Sequence, residues 1–188
     1  MKITTRDMIL IGLFAALTAV GGFLKIPTPV VPFTLQVLFC AYAGVFLGSK
    51  NGLISQLLYV IIGLAGIPIF SKGGGLAYIY EPTFGYILGL ILCAFIIGKV
   101  TEGAKECRFI RFFIASIAGL TAVYIIGVPY LYFMINRVAE VPITFSAAIK
   151  MGLIPFIVQD IIKCIIVAVT AVKIVPILGR LGYIPKKS

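Results

Sequence analysis

Long apolar runs, separated by short stretches of charged residues, proline or glycine, dominate the chain. A helix needs about 20 mostly apolar residues to cross the hydrocarbon core of a bilayer. The pattern predicts six such segments, the second of them short: Met8 to Leu24, Thr34 to Leu47, Leu53 to Ile67, Thr83 to Val100, Phe112 to Phe133 and Gly152 to Pro176. We therefore predict an all-α integral membrane protein with six transmembrane helices, forming a single domain over residues 1–188.

Three of the connections between these segments are long. Lys25 to Phe33 contains three prolines, which fix their own backbone angle and lack an amide hydrogen, so an extended loop is predicted there. Pro68 to Pro82 holds three consecutive glycines, and Met134 to Lys150 has room for a short helix. A tight turn is predicted at Ser49 to Gly52. Within the fifth segment, Gly127 and Pro129 predict an interruption.

Basic residues are distributed unevenly among the connections. The chain carries 16 Lys and Arg against 6 Asp and Glu, with 61% hydrophobic residues and a mean hydropathy of +1.16. Ten of the basic residues lie at the termini, at the Ser49 turn or around Thr101 to Arg111, and the three long loops hold only four: Lys25, Lys72, Arg137 and Lys150. The positive-inside rule then places both termini in the cytoplasm and the long loops outside. The net charge of +10 is interpreted as an orientation signal and a contact for anionic membrane lipid, and no nucleic-acid partner is predicted.

The sixth segment carries polar side chains in its interior. These are Gln159, Asp160 and Lys163. A charged residue at the centre of a membrane helix costs about 2.5–3.5 kcal/mol on insertion scales, so it is expected to face a partner or a ligand. Residues three apart share one helix face, which puts Asp160 beside Lys163. Two hypotheses follow: an ion pair that only neutralises itself, or a substrate or ion site.

Several kinds of chemistry are excluded by what the sequence lacks. Without histidine there is no Ser–His–Asp or Cys–His set, and the four cysteines form no CxxC metal motif. Gly44 to Lys50 resembles a phosphate-binding loop but does not complete its pattern. Asp160 is the only carboxylate inside a predicted span, so paired acids for an intramembrane hydrolase are absent. We predict neither an enzyme nor a bound cofactor or metal.

Two further patterns allow more than one interpretation. The glycine run beside Lys72 could form an anion-binding nest or a flexible loop, and the tyrosines around it could be interfacial aromatics or the walls of a ligand pocket: Tyr78, Tyr80 and Tyr86. Small residues spaced four apart on the first segment could permit close approach of a partner helix or serve internal packing. They are Gly12 with Ala16, and Ala15 with Ala19.

Three sequence blocks resemble a known family. VPFTLQ at Val31 to Gln36, GGGLAYIYEPTFGYILG at Gly73 to Gly89 and QDIIK at Gln159 to Lys163 are similar, in order and spacing, to the signature blocks of BioY, the biotin-specific substrate-binding (S) component of energy-coupling factor (ECF) transporters. The resemblance implies a multi-pass protein of the cell membrane that captures biotin from outside. It also implies partners, a transmembrane T component and two ATPase subunits, with the T component docking at Ala15 and Ala19.

The resemblance makes biotin the expected transported ligand, rather than a cofactor. Asp160 suits the ureido N–H groups of biotin, and Lys163 could donate to the ureido oxygen or balance Asp160. The glycine run or Lys72 could hold the carboxylate tail. The predicted substrate site comprises Phe33, Thr34, Gln36, Gly73, Gly74, Gly75, Tyr78, Thr83, Tyr86, Gln159, Asp160 and Lys163. Alternatives are an S component for another small water-soluble vitamin, a self-sufficient secondary transporter, or a structural subunit without ligand.

Overall fold

The structure, a computed structural model, describes residues 4–27, 30–102 and 107–181, and most of these residues are helical. The six α-helices are α1 (Thr5–Phe23), α2 (Gln36–Leu64), α3 (Phe84–Thr101), α4 (Phe109–Arg137), α5 (Phe145–Gly152) and α6 (Ile157–Arg180). Two short 3-10 helices, Leu76–Tyr80 and Ile154–Phe156, and a two-stranded hairpin, β1 (Lys25–Ile26) with β2 (Phe33–Thr34), complete the described elements. Within the described residues, five helical stretches are long and apolar enough to cross a membrane: α1, α2, α3, α4 and the run Phe145–Arg180.

Helix α2 reverses direction at Gly48. The backbone there has φ 78° and ψ −176°, which is not helical. In a straight helix nine residues span about 13.5 Å, yet a Cβ placed on Gly52 would lie 3.2 Å from the carbonyl oxygen of Ala43. Likewise, the Gln36 side-chain amide donates to the hydroxyl of Tyr59 at 2.6 Å. Two antiparallel arms, residues 36–47 and 49–64, therefore meet at a single-residue reversal next to the predicted turn.

The reversal is held by an acidic residue from the end of α3. The Glu102 carboxylate accepts hydrogen bonds from the Ser49 amide and, at 2.9 Å, from the Ser49 hydroxyl. A carboxylate at the first amide of a helical arm satisfies a free donor and complements the positive end of the helix dipole. The second arm of α2 thus begins at Ser49, whose amide is capped by Glu102. This cap allows the chain to reverse direction at the single residue Gly48.

Several predicted boundaries were wrong. Helix α4 continues through Gly127 and Pro129 without interruption. The third long connection contains a short helix, α5, as predicted, but α4 extends to Arg137 and α5 to Gly152, so the bounds of this connection differ from Met134 to Lys150. The sixth segment is divided by the 3-10 helix Ile154–Phe156, so α6 starts at Ile157 and Asp160 lies in its first turn.

Side-chain contacts fix which helix ends lie together. Phe14 of α1 lies beside Phe46, with ring centroids 6.2 Å apart, and the Thr170 hydroxyl of α6 is 2.8 Å from that of Tyr42. These contacts bring the start of α1 and the end of α6 towards the Gly48 reversal. At the opposite end, the Tyr130 hydroxyl donates to the carbonyl of Ile79, and the hairpin lies by α6. The three long connections therefore gather at one end of the helix bundle.

Candidate functional site

A cavity opens among the helices at the end of the bundle that carries the hairpin. The space between its walls amounts to about 580 Å³, including the part open to solvent. Pockets that combine apolar walls with a few converging polar groups are typical of small-molecule sites. The walls are formed by Val31, Pro32, Thr34, Gln36, Val37, Ser71, Thr83, Tyr86, Ile87, Leu90, Val123, Tyr124, Phe156, Gln159, Asp160 and Lys163.

Asp160 and Lys163 form a buried ion pair on the cavity wall. Lys163 Nζ lies 2.7 Å from Asp160 Oδ1, and the two side chains are only 8% and 6% exposed. The ammonium also donates to the carbonyl oxygen of Thr34 at 2.7 Å, which ties α6 to the hairpin. The sequence prediction that these two charges share one face and point inward is confirmed. An ammonium has three N–H donors, so one donor remains for a group that enters the cavity.

Tyr124 of α4 completes this polar cluster, and sequence reasoning missed it. Its hydroxyl donates to Asp160 Oδ2, so the two carboxylate oxygens have different protein partners. The sequence did contain a signal for this hydrogen bond, because Tyr124 is a hydroxyl-bearing residue in the middle of an apolar segment. A buried tyrosine hydroxyl usually has a hydrogen-bond partner, and Asp160 was the one predicted intramembrane carboxylate.

A second polar wall comes from the hairpin and the two arms of α2. The Thr34 hydroxyl donates to Gln36 Oε1 at 3.1 Å, and Gln36 Nε2 donates to the hydroxyl of Tyr59. Tyr59 in turn donates to the carbonyl of Ile69 at 3.3 Å. The side chain of Gln159, half-buried beside Asp160, has no hydrogen bond to any other described residue. Thr34 and Gln36 are thus held in place, whereas the Gln159 amide is available to a ligand.

Thr83 and Tyr86, both predicted, also line the cavity. The Thr83 hydroxyl lies 3.2 Å from that of Tyr78, which lies 3.2 Å from that of Ser71. Tyr86 donates to the carbonyl of Gly152 at 2.9 Å, linking α3 to the end of α5. Seven of the predicted substrate residues therefore contribute to one cavity: Thr34, Gln36, Thr83, Tyr86, Gln159, Asp160 and Lys163.

The structure places the other five predicted residues outside the cavity lining. Phe33 packs behind it, with its ring centroid 4.6 Å from that of Phe156, and Tyr78 is buried behind Ser71 and Thr83. The amides of Gly73 and Gly75 donate to the carbonyls of Phe70 and Gly63, and a Cβ on Gly74 would lie 2.3 Å from the carbonyl of Ile67.

The glycine run therefore shapes its own loop. Gly73 and Gly75 have φ of 126° and 93°, which strain other residues, so backbone geometry accounts for them. Lys72 is 3.2 Å from Glu81 and has no part in the lining. The two sequence hypotheses for an anion site, the glycine amides and Lys72, thus have no support in this arrangement.

The two alanines predicted to dock a partner face the interior. Ala15 and Ala19 are 4% and 8% exposed and belong to the hydrophobic core. The other small pair on α1 faces outward: Ala16 is exposed, and a Cβ on Gly12 would have no atom within 4 Å. The four-residue spacing was visible in the sequence, but the rotation of α1 about its axis was not.

These features define a class: a helical membrane protein with a polar site enclosed between its helices near one end. Within the described residues no group of three His, Cys, Asp or Glu could hold a metal ion. The chain belongs to the BioY family, whose profile matches residues 1–180.

Relatives and one solved structure agree with this assignment. The chain is 43% identical over 168 residues to a protein of Lysinibacillus sphaericus named "Probable biotin transporter BioY", covering 89% of this chain and 86% of that protein. It is 36% identical over 170 residues to "Biotin transporter BioY" of Thermotoga maritima, covering 90% and 95%. Its fold matches the crystal structure of the S-component for biotin from an ECF-type ABC transporter, with a TM-score of 0.75 and 25% identity over 92% of this chain and 94% of the other.

Proposed function

We propose that the protein captures biotin as the S component of an ECF-type ABC transporter and delivers it for ATP-driven uptake. The observation that carries this proposal is the buried Asp160–Lys163 pair, 2.7 Å apart, on the wall of a cavity in a BioY-family chain. Charges inside a membrane protein are costly unless they serve a partner or a ligand. The names of the relatives supply the ligand, since they are biotin transporters.

The chemistry of the cavity matches the head of biotin. The ureido group offers two N–H donors and one carbonyl acceptor. Asp160 accepts from an N–H, and the free donor of Lys163 binds the carbonyl, because hydrogen bonds with a charged partner are the stronger ones. The unpartnered amide of Gln159 reaches the second N–H or the carbonyl. The apolar thioether ring packs against the hydrophobic walls near Ile87 and Val123.

We propose six membrane crossings, with α2 supplying two of them. The reversal at Gly48 supports this count, because each arm of α2 then runs separately through the bundle. Of the Lys and Arg among the described residues, six lie towards the end of the bundle with Gly48 and four towards the end with the hairpin. By the positive-inside rule the end with Gly48 faces the cytoplasm of a cell membrane, where its charge contacts anionic lipid. The hairpin and the other long connections then cap the cavity on the outside.

Energy for uptake has to come from other subunits. The chain carries no phosphate-binding loop, and Asp160 is the only carboxylate within its predicted spans. We propose that a T component and two ATPase subunits couple ATP hydrolysis to release of the ligand. Gly12 and Ala16 on α1, rather than Ala15 and Ala19, form the face on which a partner helix packs closely, because they are the small pair that faces outward.

Equilibrium dialysis tests the central proposal. Purified protein in detergent should bind labelled biotin saturably, with about one molecule per chain. Excess unlabelled biotin should displace the label, whereas thiamin and riboflavin should not. Folded protein that shows no saturable biotin binding would contradict the proposal. If another vitamin displaced the label equally well, the protein would still be an S component, but biotin would not be its specific substrate.

A further inference from the structure

The carboxylate tail of biotin needs a partner that the head site does not supply. Asp160 is negative, and Lys163 already binds it, so an anionic tail is disfavoured at the buried pair. The tail is better placed at the opposite, solvent-facing side of the cavity. A residue well suited to bind it combines a positive charge with contact to the cavity lining on that side.

Lys25 meets this requirement through its position in the hairpin. In the register of the two strands, Lys25 of β1 lies directly opposite Thr34 of β2. Residues directly opposite each other in an antiparallel pair project their side chains from the same face. Thr34 lines the cavity, so the Lys25 side chain leaves the hairpin on the cavity side. Lys25 is exposed, whereas Asp160 is 4% exposed, so the lysine lies towards the solvent and the acid towards the interior.

The ammonium of Lys25 is held next to the cavity without being neutralised. It donates to the carbonyl oxygen of Ser71, another lining residue, so it bridges the hairpin and the Pro68 to Pro82 loop. Among the described residues it has no carboxylate partner. Because an ammonium carries three donors, the bond to Ser71 leaves two of them for an anion.

Among the described residues, none of the cationic side chains at this end of the bundle other than Lys25 and Lys163 hydrogen-bonds to a residue of the cavity lining. Lys72 pairs with Glu81 at 3.2 Å and does not line the cavity. Arg137 borders a separate surface depression with Tyr132, Phe133 and Asn136. Lys150, in the last turn of α5, is exposed and also outside the lining. Lys25 is itself outside the lining, but unlike these three it pairs with one lining residue, Thr34, across the hairpin and donates to another, Ser71.

We propose that Lys25 selects ligands with an anionic tail by binding the tail carboxylate of biotin where the cavity opens to solvent. This inference rests on the proposed function, with the ureido head at Asp160 and Lys163. The cavity then recognises its ligand at two ends. The neutral ureido head binds in the interior, and the negatively charged tail binds where the cavity opens to solvent. Because Lys25 is exposed, the contribution of its charge is modest and weakens in salt.

Binding of biotin and of biotin amide, which keeps the head but has no tail charge, tests this inference. The variants are Lys25→Gln, which removes the charge, and Lys25→Arg, which keeps it. Lys72→Gln is the matched control, since it removes a nearby exposed lysine that does not contact the lining. We expect Lys25→Gln to weaken biotin binding about fivefold at low salt and to change amide binding less than twofold. Lys25→Arg and Lys72→Gln should bind both compounds like wild type.

Three results would overturn the inference. Equal loss of biotin and amide binding in Lys25→Gln would mean that Lys25 only tethers the hairpin to Ser71. Unchanged biotin binding in that variant would place the tail elsewhere. A fivefold loss that persists undiminished in molar salt would exclude an exposed charge contact. Failure of the proposed function itself is distinguishable, because wild-type protein would then bind neither biotin nor the amide.

Discussion

The hydroxyl of Tyr124 on α4 donates a hydrogen bond to Oδ2 of Asp160 on α6, while Lys163 occupies Oδ1. The carboxylate is thereby fixed from two sides, so its remaining lone pairs face the cavity in a defined direction. A pre-positioned acceptor loses less conformational entropy when a ligand binds than a mobile one does. We therefore expect Tyr124 to contribute to ligand recognition even where it does not contact the ligand itself.

Tyr124→Phe removes this hydrogen bond and keeps the ring. Hydrogen bonds to charged groups contribute about 1.5–3 kcal/mol, part of which we expect to appear in ligand binding. We predict about tenfold weaker biotin binding, equivalent to about 1.4 kcal/mol, measured by isothermal titration calorimetry. Tyr132→Phe on the same helix, at a partly exposed position, is the control and should bind normally. Unchanged affinity in Tyr124→Phe would mean that Asp160 is positioned without it.

Lys163→Ala leaves Asp160 as a buried charge without its ion-pair partner. Removing one member of a buried pair costs about 3–5 kcal/mol. We expect both a lower thermal unfolding temperature without ligand and a loss of biotin binding. Lys173→Ala, an exposed lysine of the same helix, should affect neither. Should the folded Lys163→Ala protein bind biotin with wild-type affinity, the pair is a structural device and the ligand lies elsewhere.

Gly48→Ala tests the reversal that divides α2. The backbone at Gly48 lies in a region nearly restricted to glycine, and a Cβ there would lie 2.4 Å from Glu102 Oε1. We predict destabilisation of at least about 1–3 kcal/mol from backbone strain alone, seen as a lower unfolding temperature in detergent. Gly179→Ala is the control, since its added methyl group meets no atom within 4 Å. Equal stability of the two variants would show that α2 tolerates another path at residue 48.

The outward face of α1 is tested by bulky substitutions. Gly12→Trp and Ala16→Trp should bind biotin like wild type, because both positions point away from the core. They should fail to co-purify with the T component and fail to support ATP-driven uptake. Ala15→Trp, at a position 4% exposed, should instead lower folding yield. Normal complex assembly by both outward variants would place the docking surface on another helix.

The charged cluster in α6 was predictable because a charge inside a membrane helix is costly in any fold unless it faces a partner or a ligand. Asp160 and Lys163 stand out against an apolar segment, and their spacing alone puts them on one face. The sequence blocks around Thr34, Gln36 and Thr83 also led to residues that line the cavity.

Other features depend on how helices rotate and pack, which no local pattern encodes. Ala15 and Gly12 both belong to four-residue small pairs, and only the orientation of α1 separates core from surface. The glycines at 73 and 75 looked like an anion site, yet their positive φ explains them by backbone geometry. Glu102 gave no local sign that it would hold the Gly48 reversal, because its partner is 53 residues away in the chain.

Biotin affinity of Asp160→Asn, measured by titration calorimetry beside wild type, tests most directly whether the ligand binds at this ion pair. The variant keeps the size of the side chain and removes the negative charge of the carboxylate that we propose accepts the ureido N–H. We predict binding weaker by about 1.5–3 kcal/mol, or one to two orders of magnitude. Glu81→Gln, which removes an exposed carboxylate at the same end of the bundle, should match wild type. Wild-type affinity in folded Asp160→Asn would contradict the proposed site.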